Sequence, residues 1–336
     1  MSGSPEAAAA TATQAVEFPE IPSGGAWRII AAKEFADHLD SLRFLLLTLG
    51  LGLAAVASVA ATSGGIRGVA PAASGSPAIF LKLFTIGSEN LPPLVSWVAF
   101  LGPLLGIAFG FDAVNNERTE RTLPRLLSQP IWRDDVINGK FAGALSTIAL
   151  ILAAVTVVVA GVGLIQLGVV PQAEDVVRLV VWYVIAVVYI GFWLALAMLF
   201  SVLLRRAATS ALAAISVWLI TAAFSTVLVG VVADALAPRP ADATFAQQLA
   251  NATMRQDLGR LFPGTIFTES TQAILDPSVR TTGVLVSTQV DRAVPSILSF
   301  DQSLLVVWPQ VVAIVALTAV CFALAYVAFM RQEVRA

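Results

Sequence analysis

Long apolar stretches separated by short polar ones dominate this chain. Six of them, roughly 44–62, 94–111, 141–168, 177–203, 209–232 and 304–330, are long enough to cross a bilayer. A hydrocarbon core about 30 Å thick needs about 20 residues at about 1.5 Å of helical rise each. Helices satisfy every backbone donor and acceptor within such a segment, whereas an open strand edge in lipid has no partner. The pattern therefore predicts an all-α membrane protein with six transmembrane helices, of which the third, fourth and sixth can tilt or project beyond the bilayer. Ahead of the first span, Trp27, Ala31, Phe35, Leu39 and Leu42 recur at helical spacing, with Lys33, Asp37 and Asp40 on another face. That stripe predicts an N-terminal interfacial elbow helix.

Between the fifth and sixth spans, residues 233–303 are too many for a simple loop. Phe245, Leu249 and Ala252 share one helical face while Met254, Leu258 and Phe262 fall on another, which predicts a break or two buried sides near Asn251. Pro263-Gly264 turns the chain, a further helix fits 265–275, and Asp276-Pro277 ends it. The expected product is a small, mostly helical extracytoplasmic cap, open to two roles: a docking surface for a partner or an exit lid. Asn251-Ala252-Thr253 fits a glycosylation sequon, a pattern that also arises by chance.

Composition agrees with the span pattern. Hydrophobic residues make up 57% and charged residues only 12%, against about 25% charged in soluble domains. Lys and Arg settle the orientation: Arg28, Lys33, Arg43, Lys140, Arg205, Arg206, Arg331 and Arg335 join the arginines of the 112–140 segment on one side, while the short loops opposite hold Arg67, Lys82 and Arg178. The positive-inside rule then places both termini in the cytoplasm of a multi-pass cell-membrane protein. Residues 1–26, rich in Ala, Thr, Ser and Pro and without the basic start of a secretory signal, read as a disordered cytoplasmic tail, leaving 27–336 as one transmembrane domain. The formal charge of −2 gives no sign of a nucleic-acid partner.

The densest polar feature is an island within 112–140, between the second and third spans, where Glu117, Arg118, Glu120, Arg121, Arg125, Arg133, Asp134 and Asp135 crowd together. Pro124 suits the first turn of a helix and Pro130 stops one, so a short helix through Leu126, Leu127 and Ser128 is expected, with an apolar tip and basic flanks. Two spans leaving the bilayer on one side and joined by such a segment present a handle to a soluble partner. An ordinary solvated loop obeying the positive-inside rule is the plainer alternative.

Other motifs are structural. Gly102, Gly106 and Gly110 form a small-residue row on one face of the second span, a seam for close helix approach within or between subunits, and Gly139 with Gly143 makes a weaker one. The lone His38 and lone Cys321 have no companions at metal-ligand spacing, no Gly-x-Ser-x-Gly motif occurs, and the spans are nearly free of ionisable residues at mid-depth. Enzyme chemistry and proton relays are therefore not expected on this chain, and so few Met, Cys and His argue against a soft-metal path. Gln166 and Gln310 are the main polar intruders, both near the outer ends.

The run Phe111-Asp112-Ala113-Val114-Asn115-Asn116-Glu117-Arg118, then Thr122-Leu123, Leu126-Leu127-Ser128-Gln129-Pro130 and Gly139-Lys140, resembles the signature between spans two and three of the type-2 ABC transporter permease superfamily. The likeness extends to the six-span layout, the elbow, and the outer segment from Leu261-Phe262-Pro263-Gly264 to Leu275-Asp276-Pro277. Arg121 departs from the usual Gly, and Pro124 from a commonly basic residue. The resemblance implies a permease domain whose segment near 117–130 acts as a cytoplasmic coupling helix in a groove of an ATP-binding cassette ATPase, with Glu117, Arg118, Thr122, Leu123, Arg125, Leu126, Leu127, Ser128 and Pro130 as the coupling residues. The chain itself lacks a Gly-x-x-x-x-Gly-Lys-Ser/Thr loop, since Phe141 follows Gly139-Lys140, so ATP and Mg belong on the partner and no cofactor is expected here. Also implied is a second permease subunit, as homo- or heterodimer. Export of a substrate is the favoured expectation. The alternative is a mechanotransmitting permease that passes ATPase strokes to an extracytoplasmic partner without moving solute through itself.

Overall fold

The computed structural model describes residues 25–69, 78–88, 91–119, 132–168, 170–283 and 298–332, with the side chains of 62–69, 118–119 and 166–167 outside the description. In chain order the helices are α1 (Ala26–Leu39), α2 (Leu42–Val69), α3 (Lys82–Thr85), α4 (Leu94–Gly110), α5 (Asn115–Thr119), α6 (Arg133–Leu167), α7 (Ala173–Leu203), α8 (Ala207–Ala223), α9 (Ser225–Leu236), α10 (Phe245–Gly259), α11 (Pro263–Leu275) and α12 (Phe300–Met330), and no strand occurs among the described residues. The all-helical architecture matches the apolar pattern. α2, α4, α6, α7 and α12 are each long and apolar enough to cross a membrane, and α8 with α9 makes a sixth when the bent pair is counted as one span.

That pair bends by 58°. The bend lies at Phe224, whose φ of −106° and ψ of −6° depart from ideal helical values. Phe224 N still donates to Ile220 O at 3.1 Å and Leu228 N to Phe224 O at 2.9 Å, so the backbone stays paired through the bend. The segment 209–232 is thus two helices in space.

α7 forms the middle of the bundle, packing on α4, α6, α8, α11 and α12. Trp182, Tyr189, Trp193 and Met198 along it are buried. The glycine row of α4 faces it: a Cβ at Gly106 would lie 2.6 Å from Ile190 O and 2.7 Å from Leu194 N, and one at Gly110 would lie 2.8 Å from Leu194 O. At Gly102 the nearest atom is the Ile190 side chain, at 2.9 Å. The backbones of α4 and α7 meet because those positions carry no side chain.

α1 packs lengthwise on α6. Trp27, Ala31, Phe35 and Leu39 of its stripe, with Ile30, Glu34 and His38, are half-buried there, while Arg28, Lys33 and Asp37 are exposed; Leu42, the stripe's last member, instead begins α2 and is exposed. A Cβ at Gly139 would lie 2.7 Å from the Ile30 side chain, and one at Gly143 would lie 2.8 Å from Ala31 O, so the second glycine pair seats this helix.

In the 233–303 connection, α10 runs unbroken through Asn251. Asn251 is buried, and its amide donates to Asp234 Oδ1 at 2.8 Å and Ala237 O at 2.7 Å. A glycan on that nitrogen would leave it a single N–H for two acceptors and break one of the bonds, so in this fold the sequon serves packing between α9 and α10. Pro263 stands in the first turn of α11, which ends before Asp276.

Candidate functional site

Four helices converge on the root of the polar island. After α4, the chain turns through 111–114 into the short α5. Val114 N and Asn115 N both donate to Ser201 Oγ of α7, at 3.1 and 3.2 Å, so a hydroxyl from another helix satisfies donors that a helix start leaves open. Arg43 at the start of α2 donates to Asp112 Oδ2 at 2.6 Å and to Ala108 O at 3.3 Å, and its guanidinium lies 5.0 Å from the Phe111 ring centre.

Lys140 is the centre of the root. Its Nζ lies 2.8 Å from Glu34 Oε1 of α1 and 2.7 Å from Glu117 Oε1 of α5. The lysine side chain is 6% exposed, and the two glutamates are 16% and 17% exposed. One ammonium so placed gathers three chain segments, and water screens the attraction far less than at a surface. At the other margin of the island, Arg133 Nη1 donates to Gln332 O at 3.1 Å, and Gln332 Nε2 donates to Val202 O at 2.6 Å. Both ends of the island are thereby tied to the bundle.

His38 faces the same region. Its ring meets Phe109 edge-on at 4.9 Å between centroids. Burial pushes the imidazole below its ordinary value and outweighs the opposing pull of Glu34 and Asp112, while Lys140 and Arg43 push the same way as burial. The exposed Lys33 goes the other way, held protonated chiefly by its hydrogen bond to Asp37 at 2.7 Å.

Of the residues marked out in the sequence, Glu117 lies at the root, and Arg118 belongs to α5 with its side chain outside the described residues. Thr122, Leu123, Arg125, Leu126, Leu127, Ser128 and Pro130 lie outside the described residues altogether. Gly102, Gly106 and Gly110 stand apart from the root, in the α4–α7 seam. Glu34, Arg43 and Ser201 were not marked out. Arg43 had been noted only as a positive charge near a span end, and nothing in the sequence singles out Ser201.

The far end of the bundle has its own polar centre. Arg178, 1% exposed, donates from Nη1 to Ile274 O at 2.9 Å and Ser303 Oγ at 3.0 Å, and from Nη2 to Leu298 O at 2.8 Å. Its Nε and Nη2 also donate to Glu174 Oε1 at 3.0 and 2.8 Å. The guanidinium thus binds α7, α11 and the start of α12 together. Nearby, Gln310 of α12 donates to Glu269 Oε2 and Thr282 Oγ1, both at 2.9 Å, and Arg260 Nε pairs with Glu269 at 2.9 Å. Gln310 is therefore part of the packing between α11 and α12. No group of three His, Cys, Asp or Glu side chains gathers as metal ligands would among the described residues.

Comparison with known proteins fits these features. "Probable ABC transporter permease protein NosY" of Pseudomonas aeruginosa is 32% identical over 151 residues, covering 45% of this chain and 49% of that protein. The protein of the same description from Stutzerimonas stutzeri is 32% identical over 114 residues, 34% of this chain and 37% of its own length. The chain therefore spans about half the length of the first relative and less of the second. A family profile described as ABC-2 family transporter protein matches residues 28–334. Since that match runs from the first turn of α1 past the end of α12, the chain belongs to the ABC-2 family of transporter proteins.

Proposed function

We propose that this chain is the membrane-spanning permease subunit of an ATP-binding cassette transporter, driven by a separate ATPase that seats against the segment 117–130. One observation carries the reading: Arg43, Glu34, Lys140 and Ser201 grip the root of the island from α2, α1, α6 and α7. A stroke delivered at the island's tip is thereby loaded onto helices that run the depth of the bundle. A solvated loop with no mechanical duty would need none of these contacts. Family membership supports the division of labour, and the sequence contains no phosphate-binding loop, so ATP and Mg sit on the partner. The island and both termini face the cytoplasm, by the distribution of Lys and Arg, and the subunit works beside a second permease subunit as an exporter. The Arg178 centre favours the mechanotransmitting alternative at one point, because it joins α11 to the bundle through main-chain oxygens, a firm link for passing motion to an outer partner.

The test is co-purification in mild detergent with the ATP-binding subunit. The chain alone should neither bind nor hydrolyse ATP. Leu127→Asp should detach the ATPase, since losing an interface anchor costs about 2 kcal/mol or more, while the membrane body stays folded. Retention of the partner and full activity by that variant would reduce the island to a positive-inside loop. Single cysteines at Ser128 and Ser278, with Cys321→Ala, should label from opposite faces of the membrane; labelling from one face would overturn the topology.

A further inference from the structure

A cavity of about 900 Å³ lies in the half of the bundle away from the island, between α4, α7, α8 and α11. Its walls differ in kind. On the bundle side stand the rings of Phe100 and Trp218, 5.2 Å apart between centroids, with Trp193 and Tyr189, and Tyr189 stacks on Phe267 of α11 at 4.4 Å with planes 7° apart. On the α11 side stand Thr265, Thr268, Thr271 and Gln272. The Phe224 bend keeps Ser225 in the lining together with Thr221.

Some of the hydroxyls in the lining are already engaged. Thr268 donates its hydroxyl to Gly264 O at 2.9 Å, Thr221 donates to Trp218 O at 2.9 Å, and Thr85 donates to Leu81 O at 3.2 Å. Thr271 accepts from Trp182 Nε1 at 3.2 Å. Thr271 keeps its own proton, and Gln272 carries both an amide N–H pair and a carbonyl oxygen, so the wall offers acceptors and donors together, the pairing that a ligand hydroxyl, itself both, can meet. The lining carries Lys82 and Asp276, opposite charges, and Asp276 already accepts from Ser278 N and Oγ at 3.0 and 2.6 Å. The balance favours an uncharged head.

Part of the lining reaches the outer face of the bundle. Ser96 and Phe100 of α4 and Ala222 of α8 belong to the lining and are exposed, Phe100 by 51%. Six residues separate Leu94 from Phe100, about 9 Å along the helix, so this exposed lining extends from the end of α4 down its length, along the side by which an acyl chain could enter.

We propose that this cavity binds an uncharged, hydroxyl-bearing amphiphile taken laterally from the half of the bilayer opposite the island, its apolar body against the aromatic wall and its head against α11. The proposal deepens the permease reading by naming a substrate class, and rests on that reading only for the step from binding to transport. The experiment uses the full chain in lipid nanodiscs without ATPase, a diazirine-bearing monoacylglycerol as probe, and mass-spectrometric mapping of the adducts. Saturable labelling should concentrate on peptides carrying Phe100, Trp218 and Thr268, and unlabelled monoacylglycerol should compete it away. Ala222→Trp and Thr268→Trp, which fill the exposed lining and the polar wall, should each lower that labelling about tenfold. Val157→Trp, on the exposed face of α6, should leave it unchanged. A diazirine-bearing fatty acid should label the same peptides less. Labelling spread over all exposed apolar faces, indifference to both filling variants, or equal labelling by the anionic probe would each overturn the proposal. Because no ATPase is present, its failure is distinguishable from failure of the coupling reading, which co-purification alone decides.

Discussion

Lys140 and Arg178 are both almost fully buried, one at each end of the bundle, yet their partners differ in kind. Lys140 lies between two carboxylates on separate elements, Glu34 and Glu117. Arg178 spends most of its donors on neutral acceptors, the main-chain oxygens of Ile274 and Leu298 and the hydroxyl of Ser303, with the half-exposed Glu174 as its single acid. A planar guanidinium holding carbonyls in fixed directions cements backbone to backbone, whereas an ammonium with three rotatable donors tolerates small shifts of the charges around it. Under the proposed coupling, the island end can be displaced while remaining attached. The far end is built to stay.

Three perturbations probe that contrast, in order of expected effect. Arg178→Met should be the most damaging to the fold, because buried acceptors on α11, α12 and the preceding turn lose their donor together, costing about 3 kcal/mol. The check is thermal unfolding in detergent, with proteolysis at 276–298 as a local readout. The ATPase should still co-purify, and loss of the partner before any loss of stability would erase the distinction between the two ends.

Next comes the seam joining them. Gly106→Ala forces a Cβ to within 2.6 Å of Ile190 O, a backbone atom that can yield only if α4 and α7 separate. Overpacking of this kind costs about 1–3 kcal/mol. Gly161→Ala, with nothing within 4 Å of its Cβ, is the control and should be neutral or slightly stabilising. Equal stability of both variants would mean the seam is looser than described.

The smallest effect belongs to His38. Its folded-state affinity for a proton is lowered by burial, so protons bind the unfolded chain more readily. Its contribution is present in full above its ordinary value of 6.5 and is lost progressively as pH falls below that toward the lowered folded value. Thermal stability measured from about pH 7.5 down to about pH 5, a window that brackets that value, should fall less steeply in His38→Gln than in the parent. A steeper fall would reverse the sign assigned here.

Much of this was legible in the residues themselves. The apolar spans follow from their length, α11 is bracketed by Pro263 and Asp276, and the Trp27–Leu39 stripe marks the face by which α1 packs. The partners of the root were not legible, because they lie 106 residues apart for Glu34 and Lys140, 69 for Arg43 and Asp112, and 86 for Ser201 and Asn115. Periodicity reports which face a helix buries and says nothing of which distant charge waits there. The Phe224 bend has no Pro or Gly to announce it. Asn251 looked like a break or an acceptor site because its role depends on Asp234, on another helix.

The most direct test of the central claim is a charge exchange at the root. Lys140→Glu alone gathers three carboxylates, and Glu117→Lys alone sets two ammonium groups against Glu34. Either should lower ATP-driven transport by the reconstituted complex about tenfold or more, as unpaired buried charge typically does. The double variant restores one base and two acids on the same three elements and should recover most of the activity, with the ATPase bound throughout. If the single variants transport normally, or if the exchange is no better than the worse of them, Lys140 does not link the island to the membrane helices and the coupling account fails.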